Sequence, residues 1–350
     1  MPADLPFETE TPRLRLRRPV PDDLDFHVGL HSDPRLYTHA PQALKSEEEN
    51  RAQFSAFLRH WDDHGFGYWT VEDRASGEPL GVAGVRQAEG YLNLYYRFHH
   101  QGHGRGYARE AAREAVALAA EWLPGMPVRA VVREGHRASL RTAERAGLTR
   151  AGTLRHPDDL PEEEPSVMLE APQVHRLDHV DNPDEVIDLW QRVNDAGGSV
   201  GFTPGAPRSE VEAALQRHEN EMAAGLAFLG VLRDPHGALL GLGWWTRSRT
   251  SLLAHTRWLY RLMVDPSQQG RNLGRILMGG LHRLARSDGA ELLTLDYRSG
   301  SGVGEFYARC GYTEVGRIPG AIRVAPGDDR DDVIMARRID DTLLHPDGRT

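Results

Sequence analysis

Apolar and polar positions along the chain follow two alternating rhythms, strand-like and helix-like. LRLRR (14–18) alternates with the period of a half-buried strand, and Pro21-Asp22-Asp23 then opens a helix. Apolar residues return at helical spacing over Glu47–Trp61. Tyr68–Glu72 and Leu80–Val85 form a predicted hairpin around Ser76-Gly77, and Leu92–Phe98 a further strand that runs into a glycine-rich loop. The Ala-rich stretch Gly106–Trp122 predicts a long helix, Val128–Arg133 a strand, and Ser139–Ala146 a short helix closed by Gly147.

The second half of the chain repeats this order. Asp184–Asp195 and Ser209–Ala224 predict helices, and Ala227–Arg233 with Ala238–Arg247 a hairpin across Asp234-Pro235-His236-Gly237. Leu259–Asp265 predicts a strand, Gly274–Arg286 a helix, Glu291–Tyr297 a strand, and a short helix precedes Gly311. The repetition is also visible in the letters. RAGLTRAGTLR (145–155) and RCGYTEVGRIP (309–319) share Arg145/Arg309, Gly147/Gly311, Thr149/Thr313 and Gly152/Gly316 at an offset of 164. HGRGYA (103–108) and QGRNLG (269–274) match at an offset of 166. Two matched segments at nearly the same offset point to two homologous domains, 1–171 and 172–350, with a boundary near Ala171-Pro172-Gln173. The acidic segments HPDDLPEEEP (156–165) and APGDDRDD (325–332) are expected to be solvated loops.

Composition removes several classes of function. The 350 residues carry 42 basic and 51 acidic side chains, a net charge of −9, and only Lys45 among the basic residues is a lysine. Such a chain is a poor non-specific nucleic-acid binder, because phosphate contacts supply that affinity. A Schiff-base mechanism would have to use Lys45, which precedes the acidic run Glu47-Glu48-Glu49 and is expected to be solvated. The single cysteine, Cys310, allows neither an internal disulfide nor a Cys-rich metal site, and fits a reducing, cytoplasmic setting. No stretch approaches the ~18 apolar residues of a membrane span, and the acidic start MPADLPFETE lacks the apolar core of a signal peptide. No metal, membrane or nucleic acid is therefore expected as a partner, and the sequence is compatible with a homodimer.

The candidate chemistry lies where each strand meets a glycine loop and a helix. The first turn of a helix leaves backbone N–H groups unpaired at the positive end of its dipole, and glycines let that backbone approach an anion. The loops are His103-Gly104-Arg105-Gly106-Tyr107-Ala108 and Gln269-Gly270-Arg271-Asn272-Leu273-Gly274. Asn272 replaces a glycine in the second, and asparagine tolerates positive φ better than most residues. Neither loop has the Gly-Lys-Ser/Thr ending of a nucleotide-triphosphate loop, and no acidic residue follows at dinucleotide-fold spacing. A tight turn feeding a helix without any ligand is the alternative reading.

These loops resemble motif A of the GCN5-related N-acetyltransferases (GNAT), whose loop amides hold the pyrophosphate of acetyl-CoA while the pantetheine lies along the preceding strand. The first half resembles the RimJ/RimL branch in TPRLRLRRPVPDDL, GYAREA, and HRAS before RAGL. The second resembles tabtoxin-resistance-type acetyltransferases in DAGGSVGF (195–202), LMVDPSQQGRNLGRILM (262–278), LTLDYRSG (293–300), FYARCGY (306–312) and GRIPG (316–320). The resemblance covers most of the chain. It implies an α/β (α+β) fold of two tandem domains, each a mixed, mostly antiparallel sheet flanked by helices. It also implies acetyl-CoA as co-substrate, held by the two loops together with Leu262, Met263, Val264 and Arg275, and a small metabolite or antibiotic as amine acceptor. A protein amine, or acyl-CoA binding without catalysis, are the alternatives, and one domain can be degenerate.

The resemblance also marks catalytic candidates. Tyr307 matches a general acid near the CoA sulfur, the alternative being a core tyrosine, and Ser139 matches a serine that contacts CoA or the thiolate, the alternative being a helix N-cap. Gln101 is a second way to open the first loop motif. His136 stands where the branch has asparagine, Asn93 where an acid is frequent, and Trp258 or Leu259 where a glutamate is frequent, so no general base is identified. His99, His100, His255, Asp296 and Glu305 lie near the right strands. Cys310 is expected to pack, Trp244, Trp245 and Phe202 line either a cleft or the core, and the negative charge suits a cationic acceptor.

Overall fold

The computed structural model describes residues 7–155 and 164–339. The chain divides into two compact units, the main break falling between Pro172 and Gln173.

In the first unit β1 (Thr9–Glu10) and β2 (Leu14–Arg17) lead through a Pro21–Asp23 turn into α1 (Leu24–His31). The second helix, α2 (Glu47–His64), begins at a capping box, Ser46 accepting from the Glu49 N–H and Glu49 from the Ser46 N–H. It ends at Gly65, whose φ of 73° suits the left-handed C-cap. Then come β3 (Tyr68–Asp73), β4 (Pro79–Ala88), β5 (Tyr91–Phe98), α3 (Tyr107–Trp122), β6 (Val128–Val132), α4 (Arg137–Arg145), β7 (Thr149–Leu154) and β8 (Ser166–Glu170). The sheet order is β1-β2-β3-β4-β5-β6-β8-β7. All neighbours are antiparallel except β5 and β6, the pair that α3 connects as a crossover. The alanines of α3, with Ala111, Ala112 and Ala115 fully buried, let its backbone lie close on β4 and β5.

The second unit runs β9 (Gln173–Leu177), α5 (Pro183–Asp195), α6 (Arg208–Ala223), β10 (Ala227–Arg233), β11 (Leu239–Thr246), β12 (Thr256–Val264), α7 (Leu273–Ser287), β13 (Leu292–Arg298), α8 (Gly304–Arg309), β14 (Thr313–Ala325) and β15 (Asp328–Arg338). Its sheet order, β14-β15-β13-β12-β11-β10-β9, is the order of β7-β8-β6-β5-β4-β3-β2 read element for element. Again one pair, β12 with β13, is parallel. Both units are thus mixed, mostly antiparallel sheets flanked by helices.

Two buried charge clusters fix strands to helices. In the first unit Arg17 donates to both oxygens of Asp23 at 2.7 Å and to Glu72 at 2.5 Å, while Thr70 donates to Asp23 at 2.8 Å. In the second, Asp288, with a side chain only 4% exposed, accepts from Arg176 and Arg257, each at 2.8 Å, and from Arg247.

The segment 325–332 is not a loop. Asp328–Arg338 is a strand, and Gly327 (φ 80°) makes the turn. Its acids are neutralised across the hairpin, Asp329 by Arg323 and Asp331 by Arg317, so charged side chains stabilise a strand that composition alone reads as solvated coil. Within 156–165, residues 156–163 lie outside the described residues. Trp244 and Trp245 are fully buried core residues, Trp245 donating to the Leu281 carbonyl at 2.9 Å. Phe202 packs on Trp190 at 5.7 Å, and Cys310 is buried. No helix among the described residues is long and apolar enough to cross a membrane.

Candidate functional site

Both candidate loops have the same backbone shape. Gly104 and Gly106 have φ of 77° and 80°, and at the same interval Gly270 and Asn272 have φ of 79° and 67°. Gly106 is the N-cap of α3 and no side chain caps the helix, so its first amides remain for an anion. The loop is held from one side. Arg13 donates to the Arg105 carbonyl at 2.8 Å and pairs with Glu110 in the first turn of α3, and its guanidinium lies 4.9 Å from the Tyr107 ring. Thr11 donates to the same glutamate at 2.7 Å. The His103 ring turns back to the Phe98 carbonyl at 3.2 Å, and His100 stacks edge-on against it at 5.3 Å. Gly104, Arg105, Gly106, Tyr107 and Ala108 therefore form a braced loop into the helix N-terminus, with the Arg105 N–H donating to the Gly102 carbonyl at 3.4 Å. In the second unit Leu262, Met263 and Val264 end β12 next to the loop Gln269–Leu273, and Gly274 sits where a Cβ would press on Phe306 at 3.1 Å. Arg275 lies in the first turn of α7.

The strands before the loops open into forks. β5 and β6 pair only at Leu92 with Val128 and Asn93 with Arg129, after which they part. β12 and β13 hold four rungs, Thr256–Leu259 against Leu292–Leu295. Beyond them β12 bulges against β11 at Arg261, whose φ of 55° marks the distortion. Such a fork leaves space between two strands where packing would otherwise be continuous.

The first fork opens on a cavity of about 540 Å³ lined by β5, β6, α1, α2 and the start of α4. Among the lining residues the Tyr96 and Ser139 hydroxyls meet at 3.0 Å, and Tyr96 donates to the Ser139 carbonyl at 2.9 Å. Ser139 is not the N-cap of α4. His136 holds that position, which puts Ser139 at the third helical residue with its hydroxyl turned to the strand. Burial pushes the Tyr96 phenol up to about 12, tempered by Ser139, so it stays protonated near neutral pH. His31 has both ring nitrogens engaged. Nδ1 donates to the His27 carbonyl at 2.9 Å, so Nε2 accepts from the Tyr95 hydroxyl at 3.0 Å. Burial, then His27 and Arg97, take the His31 pKa down to about 2. His136, stacked on His39 at 4.4 Å, is lowered to about 4 by burial and then by His39. Asn93 donates to the Tyr68 hydroxyl at 2.6 Å, a positioning bond that no base is needed to explain.

A second cavity of about 290 Å³ lies in the other unit and is lined by Arg217, His218, Glu221, Tyr260 and Arg261 among others. His218 stacks on Trp244 at 4.6 Å, and burial, then Arg261, lower it to about 4. Tyr307 lines neither cavity. It stands in α8 with its ring 5.8 Å from Tyr297 and 6.2 Å from Tyr312, and burial raises its phenol above the ordinary value.

Nor do the five expected base candidates line these cavities. His99 packs on Phe26, His100 and Glu305 are exposed, and His255 is exposed at the end of β12 away from the loop. Asp296 accepts from Trp258 at 2.9 Å, which ties β13 to β12. Tyr96, His31 and Arg97, which do line the first cavity, carry no sequence motif, and only their places on β5 and α1 single them out. The expected match between negative net charge and a cationic acceptor also fails locally. No Asp or Glu is among the described residues lining the first cavity, whereas Lys45, Arg86, Arg97 and Arg133 are.

An acetyltransferase (GNAT) domain model matches residues 13–149, and a second such model matches residues 227–314. Among solved structures, a GNAT-family acetyltransferase from Bordetella pertussis is similar at 22% identity and a TM-score of 0.40, covering 47% of this chain and 98% of that one. An acetyltransferase from Agrobacterium tumefaciens is 23% identical with a TM-score of 0.40, over 47% and 94%. One from Salmonella typhimurium, solved with its cofactor acetyl-CoA, is 17% identical with a TM-score of 0.39, over 50% and 99%. Carrying one such domain in each half, the chain belongs to the GNAT superfamily and is an acyltransferase with two GNAT domains in tandem.

Proposed function

We propose that the first unit is an acetyl-CoA-dependent N-acetyltransferase acting on a primary amine of a small molecule by direct transfer. The observation that carries this is the Tyr96–Ser139 hydroxyl pair lining the cavity where the strand fork has opened, on the strand that feeds the braced loop 103–108. Acetyl-CoA supplies a thioester carbonyl. The chain has three tasks around it: to seat the phosphates on the loop amides, to receive the amine in the cavity, and to keep a proton ready for a departing thiolate. Tyr96 suits the last task because its proton is held to about pH 12, while its bond to Ser139 fixes where the two hydroxyls point.

A second reading places transfer in the other unit, with Tyr307 as the acid. It is favoured by a phenol that burial keeps protonated and that forms no hydrogen bond within the described residues. Thiol release from acetyl-CoA with a panel of amines separates the two. Tyr96→Phe and Ser139→Ala are expected to lower kcat at least ~10-fold, in the range of a positioned acid, with CoA affinity retained. Tyr307→Phe is expected to leave turnover unchanged. The reverse pattern moves the site to the second unit, and CoA binding without thiol release from any amine leaves a binding module.

A further inference from the structure

The first cavity contains a cation with no counterion among the described residues. The Arg97 guanidinium lies on the Tyr37 ring at 4.0 Å and within 5.8 Å of Tyr95, so its plane is fixed by aromatic faces. Its Nη1 is buried and makes no hydrogen bond. Other guanidinia in the unit do have acids: Arg13 has Glu110, Arg17 has Asp23 and Glu72, and Arg129 has Glu170. Arg97 has no carboxylate partner among the described residues, and none lines the cavity it faces. The titratable groups around it make the situation worse, not better. Its charge helps to hold His27, His31 and His136 neutral, burial being the larger cause in each case, and Lys45 and Arg86 add positive charge at the same cavity.

A buried donor left unpaired is costly, and a guanidinium is the side chain whose planar fork matches an oxyanion with two parallel hydrogen bonds. With its face covered by aromatic rings and its Nη1 buried and unpaired, Arg97 lines an acid-free cavity and is arranged to receive such a group from a ligand. We infer that the acceptor amine also carries an oxyanion, a carboxylate or a phosphate, which Arg97 binds in the first cavity. This rests on the proposal that the first fork is the acetyl-transfer site, and it narrows the acceptor class there. It also reverses the expectation from net charge: the chain is acidic overall, but this cavity selects an acidic amine.

The test uses the full chain, acetyl-CoA and matched acceptors. β-Alanine against β-alaninamide and glutamate against its diamide probe the carboxylate, and O-phosphoethanolamine against ethanolamine probes the phosphate. Thiol release is compared on the neutral-amine fraction of each. The oxyanion-bearing member of at least one pair is expected to be favoured 10-fold or more in kcat/KM, the effect lying in KM. The pair that shows it identifies the anion. Arg97→Gln is expected to abolish the preference while leaving CoA affinity by titration unchanged, and Arg97→Lys, which keeps the charge without the fork, to retain part of it. Equal use of charged and neutral amines by the wild-type protein overturns the inference while leaving the transferase proposal standing. Weakened CoA binding in Arg97→Gln also overturns it, because the guanidinium would then serve the cofactor phosphates. CoA binding without turnover of any amine refutes the transferase proposal itself, and the inference with it.

Discussion

Gly106→Ala isolates the conformational part of the loop's design. Gly106 has φ 80° and ψ 10° as the N-cap of α3. A Cβ built there would meet Arg13 Nη2 at 3.6 Å and Arg109 Nη2 at 3.7 Å, ordinary contacts that displace nothing. The cost is therefore torsional, about 1–2 kcal/mol for an alanine held in the left-handed region. Lower entropy of the unfolded chain returns about 0.4–1 kcal/mol. The net expectation is a loss near 1 kcal/mol, or about 2–4 °C in the transition of a domain of this size. Alternatively the loop escapes the strain by moving to negative φ, and then its amides leave their places. In that case CoA affinity falls about 5-fold or more, the same energy appearing in binding. Gly106→Asn should do markedly less on both counts, since asparagine already occupies the matching position in the second unit at φ 67°. Thermal melts with and without CoA, together with a CoA titration, read both quantities. The reasoning is refuted if Gly106→Ala matches the wild type in both, or if asparagine proves worse than alanine.

Two further predictions concern the buried charge clusters. Arg17→Met leaves Asp23 without its cation and Glu72 with only the longer pair to Arg15 at 3.8 Å, and should cost about 3–5 kcal/mol at pH 7 by urea unfolding. In the wild type the Asp23 pKa is lowered: burial opposes this, but Arg17 outweighs it with help from the Val20 N–H and Thr70. A lowered native value means stability present at neutral pH and lost as the pH falls below the ordinary carboxylate value of about 4. Without Arg17 the buried acid titrates upward instead, so the deficit of the variant should shrink between pH 7 and pH 4; an unchanged deficit contradicts this. Asp288→Asn in the second unit removes the acid shared by Arg176, Arg247 and Arg257 and should cost about 3 kcal/mol or more. Arg247→Met, removing the most exposed of the three, should cost less, and the reverse order in denaturation midpoints counts against the cluster as described.

The features legible in the sequence were those written in local pattern. The helix 107–122 follows from alanine spacing, and the two loops from glycines and an asparagine placed where positive φ is needed. The duplication was visible in a handful of shared letters and returns as one strand order in both sheets. The interior of the site was not legible, for a physical reason. Tyr96 meets Ser139 across 43 positions, and Arg97 meets Tyr37 across 60, through a fork whose opening depends on how many rungs two strands share. Periodicity does not encode that number. The hairpin 313–338 was hidden because its exposed polar residues pair across the strands, which composition does not record.

The fork between β5 and β6 has a consequence for folding as well as for chemistry. Past Asn93 and Arg129 the two strands turn unfinished edges toward each other, while each keeps its outer neighbour, β4 or β8. Their facing amides are left incomplete by the fold itself. A ligand with amide groups of its own can enter as a substitute strand and complete the ladder, so that occupancy and cohesion of the sheet become one equilibrium. The unfolding free energy of the first unit should then climb with the logarithm of ligand concentration, by about 2.7 kcal/mol at one hundred times Kd, and the melting point with it.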